Sequence, residues 1–305
     1  MSWKNTIQSS LAMAMIAGLA INSPLHAAVV AHWSFDTPTI TTDVNGNILT
    51  AADSTGAHNA VGFAVGTATS ASVAGQFGQA LQLNNPSGNQ GGTLLNGAYL
   101  EIPQLTELMG PTGPNYTIAG WVNLTGTNNN ALLADWGNVP SGGDRFPYWF
   151  AINGARQRAQ SRSGTGSGVD MYARQVANVP ENLVNDGTWH HVAWTFEKDT
   201  PAAGDGTLLT YRDGVLIDTF TNIPTNAAAT LEMMVGSSLV GSIGRKSDNN
   251  DMYVGGIDEL YVFDRTLPLG AIRGLISGNA IPEPTSALLA LFGAAALGLI
   301  RRRQR

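Results

Sequence analysis

Residues 132–174 hold the densest set of side chains suited to ligand chemistry. Five arginines fall there (Arg145, Arg156, Arg158, Arg162, Arg174) against three aspartates, with Trp136, Tyr148 and Trp149 interleaved. Aromatic rings stack on the C–H faces of sugars, and guanidinium groups fork onto carboxylates or sulfates. Trp136, Arg145, Tyr148, Arg156 and Arg158 are therefore candidates for binding an acidic polysaccharide. The same arginines, near alternate positions, also suit the solvent face of a strand, and Trp149 beside Phe150 suits a core.

A second candidate is Asp258 in "GGIDELYVFD". Strand alternation puts it on one face with Leu260 and Val262. A carboxylate on an apolar face needs a compensating partner, and a calcium ion is one. The loop of Asp248, Asn249, Asn250 and Asp251 offers further oxygen ligands. Backbone N–H groups could satisfy Asp258 instead.

His190 and His191 invite a metal reading that strand geometry opposes. Neighbours in a strand face apart and cannot readily chelate one ion. In "GTWHHVAWTFEKD" His190 shares a face with Val192, Trp194 and Phe196, while Trp189, His191, Ala193 and Thr195 share the other. His190 reads as a hydrogen-bonded core histidine, and the pair as fold determinants. The chain has no cysteine, which excludes thiol nucleophiles, cysteine zinc sites and disulfides. An exported chain without disulfides must rely on the size of its core, with or without a metal.

The elements that position these residues are short and β-rich. Turn dipeptides recur: Asn45-Gly46, Asn96-Gly97, Asn153-Gly154, Asp186-Gly187, Asp205-Gly206 and Asp213-Gly214. All favour turns with positive φ. Strands are expected over 29–35, 80–83, 99–102, 116–124, 188–197, 208–211, 215–220 and 256–263. That spacing indicates an all-β sandwich or barrel. One interior helix is expected in "RTLPLGAIRGLIS", with Thr266 as its cap and Leu269, Ile272, Leu275 and Ile276 on one face. Residues 37–80 and 125–147 are polar, glycine-rich and loop-like.

In order along the chain, "AHWSFD", "FGQALQLN", "YTIAGWVN", "GTWHHVAWTF", "YRDGVLID", "IGR" and "GGIDELYVFDRTL" resemble the laminin-G-like, concanavalin A-like lectin/glucanase domains. The resemblance covers about 29–277. It implies a jelly-roll sandwich of two antiparallel sheets, and it leaves the ligand open because the fold hosts lectins, adhesion modules and hydrolases. Similar domains hold a calcium where first and last strands meet, which would bring Asp36 to Asp258. Glucan hydrolases of this fold resemble one another in a Glu-x-Asp-x-(x)-Glu strand that sets acid and nucleophile on one face. The full spacing is absent here: Glu197 stands two before Asp199, but no glutamate follows at 201 or 202, so a non-catalytic module is expected over a glycoside hydrolase. A structural or adhesive matrix protein without a sugar pocket is the main alternative.

Both ends read as addresses. Residues 1–28 combine Lys4, an apolar run at 11–21 and small residues at 27–28, a secretory signal peptide. Residues 281–305 combine Pro282-Glu283-Pro284, sixteen uncharged residues and an arginine cluster. As a helix the uncharged run is about 24 Å long, a minimal membrane span. The arrangement resembles the PEP-CTERM sorting signal, which implies an exosortase-type enzyme acting near Pro282, Glu283 and Pro284 after transient membrane insertion. It also implies a link to exopolysaccharide and biofilm, with a polysaccharide or matrix protein as extracellular partner. The body between, 29–280, carries eleven basic and 21 acidic residues. A net charge near −10 argues against nucleic acid as a partner.

Overall fold

The computed structural model describes residues 28–85, 97–103, 105–108, 115–125, 131–136, 148–153, 155–163, 170–199, 205–224, 233–236 and 253–278. Residues 28–279 form one packed unit. The expected leader and sorting helix, and the Asp248–Asp251 loop, lie outside the described residues. Among the described residues, no helix is long and apolar enough to cross a membrane.

Two antiparallel sheets make the body. The first has eight strands: β1 (Val29–Trp33), β5 (Thr69–Ala74), β6 (Gln79–Asn84), β8 (Tyr116–Thr125), β13 (Asp186–Lys198), β14 (Asp205–Arg212), β15 (Val215–Pro224) and β17 (Gly255–Phe263). Their spatial order is β15-β14-β13-β8-β17-β6-β5, with β1 also on β17. The second has nine: β2 (Ile40–Thr42), β3 (Ile48–Ala51), β4 (Ala60–Val65), β7 (Gly97–Ile102), β9 (Ala131–Trp136), β10 (Tyr148–Asn153), β11 (Arg156–Ser163), β12 (Asp170–Gln175) and β16 (Met233–Val235). They run β12-β11-β10-β9-β16-β7-β4-β3-β2. The expected jelly-roll sandwich is present.

Alternation drives the packing. Val192, Trp194 and Phe196 point from β13 into the core beside Ile118 and Val122 of β8. Opposite them stand Leu100, Ile102, Phe150 and Ile152 of the second sheet. Aromatic contacts bridge the layers: Phe150 lies 5.4 Å from Trp194 and 5.8 Å from Tyr116. Burying side chains of this size stabilises by about 1.5–3 kcal/mol each, so a large core can stand in for disulfides.

The outer face of the eight-stranded sheet is partly roofed. Helix α1 (Leu269–Ile276) buries Ile272 and Leu275, and Arg273 Nε donates to Gly214 O at 3.0 Å. On this outer face Ala119, Trp121, His191, Ala193 and Thr195 are all buried. Thr266 is not the helix cap. Pro268 occupies that position without a side-chain bond, and the Thr266 hydroxyl donates to Phe196 O at 3.0 Å.

The structure corrects two further expectations. Residues 37–80 contain the four strands β2 to β5. Their alanines, serines, threonines and glycines give little hydrophobic contrast, so the alternation is hidden. Likewise β9 falls within 125–147. The Asp213-Gly214 pair makes the expected hairpin turn, with φ of 49° and 73°. Asp186-Gly187 and Asp205-Gly206 instead open strands β13 and β14.

Candidate functional site

The outer face of the nine-stranded sheet carries an aromatic pair. Phe63 of β4 stands opposite Tyr99 of β7, and their rings stack at 5.2 Å and 15°. Phe63 is half-buried and covers Tyr99, which is 2% exposed. Burial first, and the charge of Glu101 second, push the Tyr99 phenol up to about 12. Val61, two residues before Phe63, is 46% exposed. Backbone register continues this row from Val61 through Glu101, Met234 and Asp135 to Trp149. An aromatic plate beside polar groups on a sheet face suits a sugar ring. Phe63 escaped the sequence reading because it sits in "AVGFAV", whose small residues read as loop.

The sequence candidates fall on the neighbouring strands. Tyr148 of β10 is the backbone partner of Trp136 of β9. On β11, Arg158 pairs with Ala151 and Arg156 with Asn153. Ala151 is three residues beyond Tyr148, so the two arginines and the Trp136–Tyr148 pair occupy alternate strand positions. Arg156 is half-buried, and its Nη1 donates to Val176 O at 3.1 Å. Arg145 lies outside the described residues.

Asp36 and Asp258 do approach one feature, the turn joining β5 to β6. Asp36 Oδ1 accepts from Gln79 N at 2.8 Å, and Asp258 Oδ2 from Phe77 N at 2.9 Å. Asp258 is fully buried, and its Oδ1 has no hydrogen-bond partner. Burial is the main reason its carboxyl rises to about 7. Its face differs from the expected one. Glu259 adopts a φ of 49° within a register shift between Asp258 and Tyr261. This bulge inserts one residue, so Ile257, Leu260 and Val262 face the core while Asp258 faces outward under the roof. No group of three or more His, Cys, Asp or Glu converges among the described residues. Two carboxylates meet one turn, and one buried Asp258 oxygen is left unpaired, a donor of the kind a hard cation would take.

The histidines behave as fold determinants. His190 Nδ1 lies 2.9 Å from Asp213 Oδ2 and its Nε2 3.1 Å from Asp186 Oδ1. The hydrogen bond to Asp213 is the main reason its pKa is raised. His191 faces the other way, 1% exposed, and burial lowers it to about 4. At the domain edge, His32 stacks on Tyr261 at 3.8 Å, and its Nε2 lies 2.6 Å from Glu259 Oε2. Burial would raise the Glu259 carboxyl, but the bond to His32 holds it below its usual value.

A jelly roll of two antiparallel sheets is a lectin-type architecture. The chain belongs to the concanavalin A-like lectin/glucanases superfamily, whose family model matches residues 94–273. Residues 280–304 match the PEP-CTERM protein-sorting motif, which implies export, sorting by an exosortase, and delivery to the membrane or cell surface. No curated protein matches the sequence.

Among solved structures, the chain is similar to domain 4 of AbnA, a GH43 extracellular arabinanase from Geobacillus stearothermophilus, in complex with arabinotriose. That match has 20% identity and a TM-score of 0.52, covering 82% of this chain and 98% of that one. It is also similar to the binding domain of botulinum neurotoxin serotype D/C VPI 5993, at 13% identity and a TM-score of 0.52 over 83% of this chain. The binding domain of Paraclostridial mosquitocidal protein 1 matches at 13% and 0.51 over 78%. The chain spans about half the length of these two toxin domains, 52% and 51%. At such identities the likeness is one of fold.

Proposed function

We propose that this chain is an exported, non-catalytic module that binds glycan on the outer face of its nine-stranded sheet and reaches the cell surface or extracellular matrix through exosortase-type sorting. The observation that carries the reading is the Phe63–Tyr99 stack on that face. Phe63 supplies the platform for a sugar ring, and Tyr99 and Glu101 supply polar groups beside it. Arg156 and Arg158 on the same sheet would add preference for an acidic chain. The lectin-type family and the arabinotriose held by one structural neighbour support this class of ligand. The PEP-CTERM motif supports an extracellular polysaccharide, with a role in biofilm, as the setting.

The test is a glycan array probed with the full chain and with Phe63→Ala. A specific signal that falls about tenfold in the variant is expected. A signal identical in both proteins overturns the assignment of the face. The second reading, an adhesive matrix protein without a sugar pocket, is favoured by Val215 and Leu216, 57% and 46% exposed beside a hairpin turn. It predicts array silence together with self-association in sedimentation.

A structural calcium accompanies the main reading. Asp36 and Asp258 would hold it against the β5–β6 turn, with the unpaired Asp258 Oδ1 as one ligand. The ion would stiffen the junction of the first and last strands.

A further inference from the structure

Among the described residues, the eight-stranded sheet is roofed at one end only, and the other end carries a second aromatic platform. Cross-strand register sets Trp189 of β13, Asn123 of β8, Gly256 of β17, Gln82 of β6 and Ala71 of β5 in a single row. Core residues Val122, Leu124, Ile257, Leu81 and Leu83 alternate with them, so the row faces outward. Trp189, Asn123, Gln82 and Ala71 are each partly exposed.

Trp189 reaches across β8 toward β17, two strand spacings or about 10 Å away. A Cβ placed on Gly256 would meet the tip of its six-membered ring, with Cη2 at 2.7 Å and Cζ2 at 3.2 Å. The absence of a side chain at Gly256 therefore lets the indole extend along the sheet. Around it stand amides. Gln82 Nε2 donates to Asn84 Oδ1 at 3.2 Å, and Asn84 Nδ2 to Thr69 Oγ1 at 3.2 Å. Among the described residues, nothing hydrogen-bonds the Trp189 indole N–H or the Asn123 side-chain amide. The row contains no charged side chain.

We propose that Trp189, Asn123 and Gln82 form a second saccharide site, on the sheet opposite the Phe63 face, that takes a neutral glycan chain. An indole plane flanked by amides offers stacking to C–H faces and neutral donors and acceptors to hydroxyls. With no cation in the row among the described residues, nothing in it rewards a carboxylate or sulfate, in contrast to the arginine-bearing sheet. The two faces then let one module bridge an acidic and a neutral strand. This site stands independently of the Phe63 face.

The experiment is a titration of the ¹⁵N-tryptophan-labelled full chain with cellohexaose and, separately, arabinotriose, read in the indole N–H spectrum. Trp189→Phe assigns the resonance by its disappearance. The Trp189 peak should shift saturably with at least one oligosaccharide, equally at low and at high salt. Gly256→Ala, which displaces the ring, and Asn123→Ala with Gln82→Ala should each weaken that titration about tenfold. Phe63→Ala should leave it unchanged. A Trp189 resonance unmoved by both oligosaccharides overturns the proposal, whatever the Phe63 face binds. So does a shift that Phe63→Ala abolishes.

Discussion

His190 Nδ1 and Asp213 Oδ2, 23 residues apart, lie 2.9 Å from each other, while the other Asp213 oxygen accepts the His191 backbone N–H at 2.8 Å. One carboxylate thus ties the "WHH" strand to the "DG" hairpin turn. Asp213 does so from a φ of 49°, a conformation aspartate tolerates better than most residues. The spacing of these two motifs is a requirement of one hydrogen-bonded unit. Arg212 extends the unit by donating from Nη1 to Glu181 O.

That unit predicts a pH signature. The His190 pKa is raised above 6.5, chiefly by its bond to Asp213. Its contribution to stability is therefore complete below the unfolded value and lost as pH rises through the folded value. Burial alone would raise Asp213, but its bonds to His190 and His191 hold it below 3.8. Its share is present above that value and lost as pH falls through the folded pKa. The melting temperature of the native chain should exceed that of His190→Gln most between about pH 5 and 6, and the gap should narrow toward about pH 9. Parallel melting curves across that range would contradict the assignment.

Thr117 predicts a local dependence on a single hydroxyl. It donates to Arg265 O at 2.9 Å and accepts the Leu267 backbone N–H at 2.9 Å, fastening the approach to α1 onto β8. Thr117 is fully buried and Leu267 is 2% exposed. Replacing Thr117 by valine keeps the shape and strands both backbone groups. The expected loss is about 1–3 kcal/mol in denaturant unfolding, against a few tenths for Thr219→Val at an exposed site.

Much of this architecture was legible in the sequence where side-chain contrast is high. Strands β8, β13 and β17 alternate large apolar residues with small or polar ones, and their extents fell within a residue or two of expectation. Strands β2 to β5 were missed because Thr, Ser, Ala and Gly alternate without hydrophobic contrast. With them went Phe63, and so the aromatic face. The side of Asp258 was misread for a different reason: a one-residue bulge at Glu259 inverts parity, and composition carries no mark of it. Trp189 was placed on the correct face by alternation alone. Its role as a platform depends on Gly256, which is distant in sequence.

The β5–β6 turn predicts a glycine requirement. Gly78 has a φ of 55°, and a Cβ there would lie 2.0 Å from Asp36 Oδ1. Gly78→Ala therefore suffers twice, through backbone strain and through displacement of the Asp36 carboxylate. A destabilisation of about 2 kcal/mol or more is expected in chemical unfolding. Gly46→Ala is the control, since Gly46 has a φ of 84° with nothing within 4 Å of the added carbon. It should show the backbone component alone.

Asp258 decides between proton and cation. Its carboxyl is fully buried, has one unpaired oxygen and is raised to about 7. With no ion bound, ionising it costs stability. The folded chain binds the proton more tightly than the unfolded one, so stability should fall as pH rises from about 4 through about 7. Asp258→Asn stays neutral and should flatten that fall, becoming the more stable protein above about pH 8 in EDTA. A bound calcium reverses the order, because it compensates the carboxylate charge and its affinity adds to folding. At that pH, excess calcium should raise the melting temperature of the native chain, shift the Asp36→Asn variant less, and leave Asp258→Asn unmoved. A native melting temperature identical in calcium and EDTA would remove the ion from the proposal and leave Asp258 a protonated hydrogen-bonding group that steadies the β5–β6 turn.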